Sequence, residues 1–161
     1  MDLESFSPLW SDDAVALDLR GPDGRVVKGD DGKPVRLFLL PPDSRKLTAR
    51  RDDIRREHRE AHPDGATPTD DAVRLYVAKS LAAALTGWSD NFTVGGERLT
   101  YSEDRAHELI DRVPLVKEQV ASWLGDRGKA WAVLSKRAAV GASGEAASTE
   151  PKAADEAGGK N

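Results

Sequence analysis

The hydrophobic pattern of the chain changes period once, at Pro41-Pro42. Before that point Val15, Leu17 and Leu19 alternate with Ala16, Asp18 and Arg20, and Val35, Leu37 and Leu39 alternate with Arg36, Phe38 and Leu40. A period of two sends successive side chains to opposite faces of a strand. Gly21-Pro22-Asp23-Gly24 and Gly29-Asp30-Asp31-Gly32 carry turn chemistry on either side of a short run, Arg25–Lys28. The pattern predicts an antiparallel meander of about three strands over residues 13–40. The two prolines close it, because proline has no N–H to give to a ladder. After them the spacing becomes helical. Asp43 or Ser44 can cap a helix that runs to Ala61, before His62-Pro63-Asp64-Gly65. Thr69 can cap a second, with Asp70 and Asp71 favourable at its positive end. Its apolar face, at spacings of three and four, comprises Val73, Tyr76, Val77, Leu81, Ala84, Leu85 and Trp88, and Gly87 is expected to end it.

Phe92–Tyr101 reads as a short hairpin around Gly95-Gly96. Ser102 then caps a third helix with Leu109, Ile110 and Val113 on one stripe. Pro114 suits the first turn of a fourth, which carries Leu115, Val116, Val120, Trp123 and Leu124. Gly125 and Gly128 weaken it, by about 1 kcal/mol each against alanine. Trp131 and Leu134 resume the pattern, so either one kinked helix or two helices reach Ala139. No repeat of solenoid length is visible. The fold expected is α+β: a small N-terminal antiparallel sheet (13–40), then a bundle of four or five helices (43–139), in a single domain over residues 1–140. No Leu, Ile, Val or Phe follows Val140. Residues 141–161 are expected to be a disordered tail, since they cannot bury enough apolar area to offset ordering.

Composition narrows the function classes. Lys and Arg number 24 against 28 Asp and Glu, a net charge of -4. A protein that grips many phosphates usually carries excess positive charge. Cysteine is absent, which removes disulfides, thiolate metal sites and a cysteine nucleophile. No apolar run approaches the ~20 residues of a membrane helix, and the acidic N-terminus is no signal peptide, so an intracellular protein is expected.

Catalytic signals are poor. His58 and His62 stand one helical turn apart, a spacing that can hold a metal. The zinc-protease motif needs Glu directly after the first His, however; here Arg59 follows, and Pro63 abuts the second. Two solvated helix-end histidines, and a packing or surface His107, are expected instead. No phosphate loop, dinucleotide fingerprint or nucleophile elbow occurs. The Arg45–Arg59 stretch holds seven Lys and Arg, but Asp52, Asp53 and Glu57 are interspersed and no aromatic residue interleaves. That favours a solvated helix laced with ion pairs, or a contact with a protein, over a nucleic-acid surface. The expectation is a non-enzymatic protein without cofactor or metal. Trp88, Trp123 and Trp131 sit on apolar helix faces, and core packing is expected of at least two of them; the exposed parts of such faces are expected to be the contact surface with a partner, around Val77, Leu81, Leu85, Trp88, Trp123 and Trp131, with Arg51 and Arg55 of the basic helix as a secondary contact.

The order of these parts resembles that of a known family. An alternating V-R-L-F-L-L strand and a charged helix come first. An Ala-rich helix ending L-T-G-W-S-D (Leu85–Asp90) follows, then G-G-E-R-L-T-Y-S-E-D (Gly95–Asp104), a helix with E-L-I-D-R-V-P (Glu108–Pro114) and a closing helix. Over Val35–Trp131 the chain resembles the tail assembly chaperones of long-tailed bacteriophages and prophages. The resemblance implies a protein of the host-cell cytoplasm that binds the tape measure protein, keeps it soluble, helps recruit tail tube subunits and leaves before the tail is complete. Some members are also made in a longer, frameshifted form. Two other classes compete with that expectation: a structural head–tail connector, which would be a permanent ring subunit, and a small DNA-binding regulator using the Arg45–Arg59 helix.

Overall fold

The structure, a computed structural model, describes residues 2–139. The tail expected over 141–161 lies outside the described residues. A 3-10 helix, Leu3–Trp10, leads into strand β1 (Val15–Asp18) and strand β2 (Arg36–Leu39). Helices α1 (Arg45–Ala61) and α2 (Asp70–Ala82) follow, then strand β3 (Leu85–Trp88) and a small hairpin of β4 (Thr93–Val94) and β5 (Glu97–Arg98). Helices α3 (Glu103–Arg112), α4 (Pro114–Gly125) and α5 (127–139) complete the described residues. The fold is α+β: a three-stranded antiparallel sheet in the order β1-β2-β3, covered by helices.

The alternating pattern finds its reason here. Val15 pairs with Leu39 and Leu17 with Leu37, and the face they share with Leu19, Val35 and Leu85 is the floor of the core. Asp18 and Arg36 pair on the opposite face, their side chains 3.0 Å apart.

The third strand is not the one expected from the sequence. Arg25–Lys28 makes only isolated bridges, Arg20 with Val26 and Lys28 with Pro34. Three backbone bonds close a ring there: Leu19 N–H donates to Val35 C=O, Val35 N–H to Val27 C=O, and Val27 N–H to Leu19 C=O. The two loops that allow this are copies eight residues apart. In each, the N–H after the second glycine bonds an aspartate (Arg25 to Asp23, Lys33 to Asp31), and that glycine has positive φ (77° at Gly24, 75° at Gly32). Only glycine enters that region at low cost. With the chain drawn into a ring, no length remains for a full strand. The place beside β2 is taken by Leu85–Trp88, expected as the end of a helix. Gly87 sits opposite Phe38, and a Cβ on it would come 3.2 Å from the Phe38 ring.

The helix boundaries agree with the capping residues. Ser44, Thr69 and Ser102 side chains accept from Leu47, Ala72 and Arg105 N–H. Pro114 opens α4, and the pattern that weakened at Gly125 breaks at Asp126, whose carboxylate accepts from Lys129 N–H at the start of α5. Among the described residues no helix is long and apolar enough to cross a membrane.

Candidate functional site

Of the four tryptophans, Trp10 in the N-terminal 3-10 helix is the exposed one, at 42 %, and the other three are covered to different degrees. Trp88 and Trp123 are 6 % and 2 % exposed. The Trp88 indole N–H donates to Leu99 C=O at 2.6 Å, and its ring meets Phe92 and Tyr101 edge to face. The Trp123 indole N–H donates to Leu40 C=O at 2.8 Å, tying α4 to the end of β2. Leu85 is wholly buried. Core packing was expected of at least two of the tryptophans, and Trp88 and Trp123 are those two; their place, and that of Leu85, in the expected contact surface is corrected, since the fold puts all three in the core. The reason is the strand: once Leu85–Trp88 pairs with β2, its side chains face the same interior as Leu37 and Leu39. Trp131 is half-buried, because the N-terminal 3-10 helix lies on it. The Phe6 ring is 5.7 Å away, and Ser5 C=O accepts from the indole N–H at 3.4 Å.

Among the described residues the exposed large apolar side chains are Leu3 and Trp10 in the N-terminal 3-10 helix, Val94 in the hairpin, and Val73, Leu75 and Val77 on α2, which holds three of the six. One side of this helix, Ala78 and Ala82, is buried, and Arg74 pairs with Asp111 of α3 beside it. Another side meets α1, where His58 stacks on Tyr76 at 4.5 Å. Between the two, Val73 and Val77 stand one turn apart, 45 % and 38 % exposed, and Leu81 follows one turn on, half-buried against the core. Of the expected contact residues, Val77 and Leu81 therefore belong to one open apolar row. Val73 extends it and was absent from the expected set, although its helical spacing to Val77 is readable in the sequence.

The two arginines expected as secondary contacts have different surroundings. Arg51 Nε donates to Ser80 C=O at 3.3 Å, and burial lowers the pKa of its guanidinium. Arg50 Nη1 donates to Ala83 C=O at 3.1 Å. Both cations thus sit at the carbonyl end of α2, where the helix dipole favours positive charge. Arg55 is exposed and bonds only Asp52 among the described residues, at 3.3 Å.

A cleft of about 330 Å³ opens between α1, α2 and the start of α3. Arg50, Asp53, Glu57, Lys79, Tyr101, Glu103 and His107 line it, so charged groups of both signs converge. Most are already engaged. Tyr101 O–H donates to Leu85 C=O at 2.9 Å, Asp53 accepts from Arg56 at 2.6 Å, and Lys79 lies 3.8 Å from Glu57. Burial pushes the Tyr101 hydroxyl pKa up. Burial, then the charge of Lys79, pushes His107 below its ordinary 6.5 against the pull of Asp104 and Glu103, so its ring is neutral at pH 7. The arrangement ties three helices and the Tyr101 loop together, which is a structural use of charge. Among the described residues no cluster of His, Asp and Glu could hold a metal ion. His58 and His62 stack on each other at 4.6 Å, and the His62 ring nitrogen Nδ1 lies 3.0 Å from His58 C=O.

The fold is a small α+β one whose open apolar features, among the described residues, include a face of α2. No family model, no curated protein and no solved structure matches the chain.

Proposed function

We propose that the protein binds another polypeptide and acts as a phage tail assembly chaperone in the host-cell cytoplasm, holding the tape measure protein soluble while tail tube subunits are recruited. The observation that carries the reading is the Val73–Val77–Leu81 row, an apolar strip left open on a helix that is packed on two other sides. Such a strip suits helix-against-helix contact with an elongated helical partner, through side chains at three- and four-residue spacing. The charged cleft argues in the same direction, because most of its groups are engaged within the chain. The motif order over Val35–Trp131 supplies the family part of the reading. The surface is smaller than the sequence suggests, since Leu85, Trp88 and Trp123 support it from inside.

The test is co-expression with the largest coiled-coil-rich protein encoded nearby. The expected result is that this chain raises the soluble yield of that protein and copurifies with it, and that Val73→Asp with Val77→Asp removes both effects while leaving the fold intact by circular dichroism. Indifference of the partner's solubility to this chain overturns the reading. Recovery of the chain from purified virions would favour the connector instead.

A further inference from the structure

The outer edge of β1 is open at Ala16, and its surroundings say what fits it. In the β1–β2 pairing, Leu17 and Leu19 turn their backbone groups toward β2, and alternate residues turn theirs away. Three of those outward positions are already bonded by side chains. The Gln119 amide of α4 donates to Asp18 C=O at 2.8 Å and accepts from Arg20 N–H at 3.0 Å, as the peptide group of a neighbouring strand would. Arg137 of α5 donates to Ala14 C=O at 2.9 Å. Between them the N–H and C=O of Ala16 and the N–H of Asp18 fall, by the alternation that the Leu19–Val35 bond sets, on the side away from β2, and no side chain among the described residues bonds them. Ala16 is exposed, and its small side chain leaves its backbone accessible. An edge of this kind is a template for another chain.

The edge forms one wall of a groove of about 1030 Å³. Leu17, Leu115, Trp123 and Val133 supply apolar surface along it. Arg20, Arg36, Lys129 and Arg137 supply four cations against the carboxylates of Asp18 and Glu118, and Arg36 and Asp18 neutralise each other. The groove is therefore positive on a chain whose net charge is -4.

We propose that this groove binds an extended, acidic polypeptide segment, which adds to β1 as a fourth strand. Main-chain bonds to Ala16 hold it, its alternate apolar side chains enter the groove, and its carboxylates meet Lys129, Arg137 and Arg20. The charge selects this occupant over a second copy of the chain, because a symmetric pairing about β1 would bring the same cations together. The proposal takes from the chaperone reading only that the partner is a polypeptide, and it adds a second contact distinct from the α2 row.

The experiment is a selection of short random peptides, displayed on ribosomes, against the full chain, followed by fluorescence anisotropy with the enriched peptides. Two variants separate the site from the rest of the molecule. Ala16→Pro removes the outward N–H without touching a bond to β2, a position where an edge strand tolerates proline. Lys129→Glu with Arg137→Glu reverses the rim charge and does not depend on the proline variant folding. Enriched peptides are expected to alternate apolar residues with Asp or Glu. Each variant should weaken their binding by on the order of tenfold or more, the scale of one or two main-chain or charged hydrogen bonds. Added salt should weaken binding to the parent further. Failure to enrich, enrichment of peptides with helical spacing, binding to both variants as tight as to the parent, or a concentration-dependent dimer occupying the edge each overturn the proposal. The selection does not use the tape measure protein, so its failure leaves the solubility test standing, and failure of the solubility test leaves the selection standing.

Discussion

Helices α1 and α4 belong to one domain but are held by different forces. Helix α4 buries Val116, Val120 and Trp123 and bonds the sheet through Trp123 and Gln119. Helix α1 is longer, yet Leu47 is its one buried residue, with Ile54 half-buried. The rest of its grip is polar: Arg50 and Arg51 on the carbonyl end of α2, Glu57 near Lys79, and His58 against Tyr76. Apolar burial at about 25 cal/mol per Å² makes α4 part of the cooperative core. Bonds that trade water for protein partners give α1 a smaller net hold. The difference separates the half of the molecule that fixes the fold from the half that can open without dissolving it.

The strongest way to break this contrast is at its apolar end. Trp123→Ala is expected to cost about 3–5 kcal/mol, the range for removing a large buried aromatic side chain. Ile54→Ala on α1 is expected to cost less than half as much, since its site is already partly open to water. Urea unfolding of both variants checks the ratio; equal losses would show that α1 is as deeply integrated as α4.

Next comes the polar hold. Arg50→Ala with Arg51→Ala is expected to lower stability by about 1–2 kcal/mol, below the full value of charged hydrogen bonds because both guanidiniums keep water contact. The sharper readout is amide exchange. Protection should fall across α1 and the last turn of α2 and stay unchanged in α4 and β2.

These two helices also show what the sequence could and could not tell. Val15, Leu17 and Leu19 announced β1, and Ser44, Thr69 and Ser102 marked the starts of three helices, because capping and alternation are local chemistry. Leu85 and Trp88 misled, because Leu81, Leu85 and Trp88 keep helical spacing across a junction where the chain turns into a strand. What ends α2 is not a local signal but the need of β2 for a partner on its second edge, met by Thr86, Gly87 and Trp88. Tertiary demand of this kind overrides propensity. The ring at Leu19, Val27 and Val35 did leave a trace, the eight-residue recurrence of Gly-x-Asp-Gly, which is far shorter than the repeats of solenoids. The open α2 row was half legible, through Val77 and Leu81. The β1 edge was not, since a lone Gln119 on a helix gives no sign of the strand it will bond.

The cleft between the helices offers a pH test. Because the folded protein holds His107 below its ordinary 6.5, the unfolded chain binds the proton first as the solution is acidified. Stability should therefore fall as pH drops through 6.5 toward the folded value and be insensitive to this group above that window. His107→Gln is expected to flatten that part of the stability–pH curve. A curve of unchanged slope in the variant would assign the dependence to other groups.

The smallest effect expected sharpens the comparison within α1 itself. Arg51 and Arg55 are one turn apart on the same helix, and the sequence treats them alike. Arg51 reaches the carbonyl end of α2, whereas Arg55 pairs with Asp52 in a bridge whose side chains are 58 % and 61 % exposed. An exposed pair at this spacing gains little Coulomb energy in water and must order two flexible side chains. Arg55→Ala is thus expected to change unfolding free energy by no more than about 0.5 kcal/mol, while Arg51→Ala alone costs measurably more. A clear loss of stability from Arg55→Ala would mean that the outer face of α1 is held by something beyond that pair. With stability unchanged, any loss of the coiled-coil partner in the same variant can be assigned to the surface of α1, because the fold beneath it has not moved.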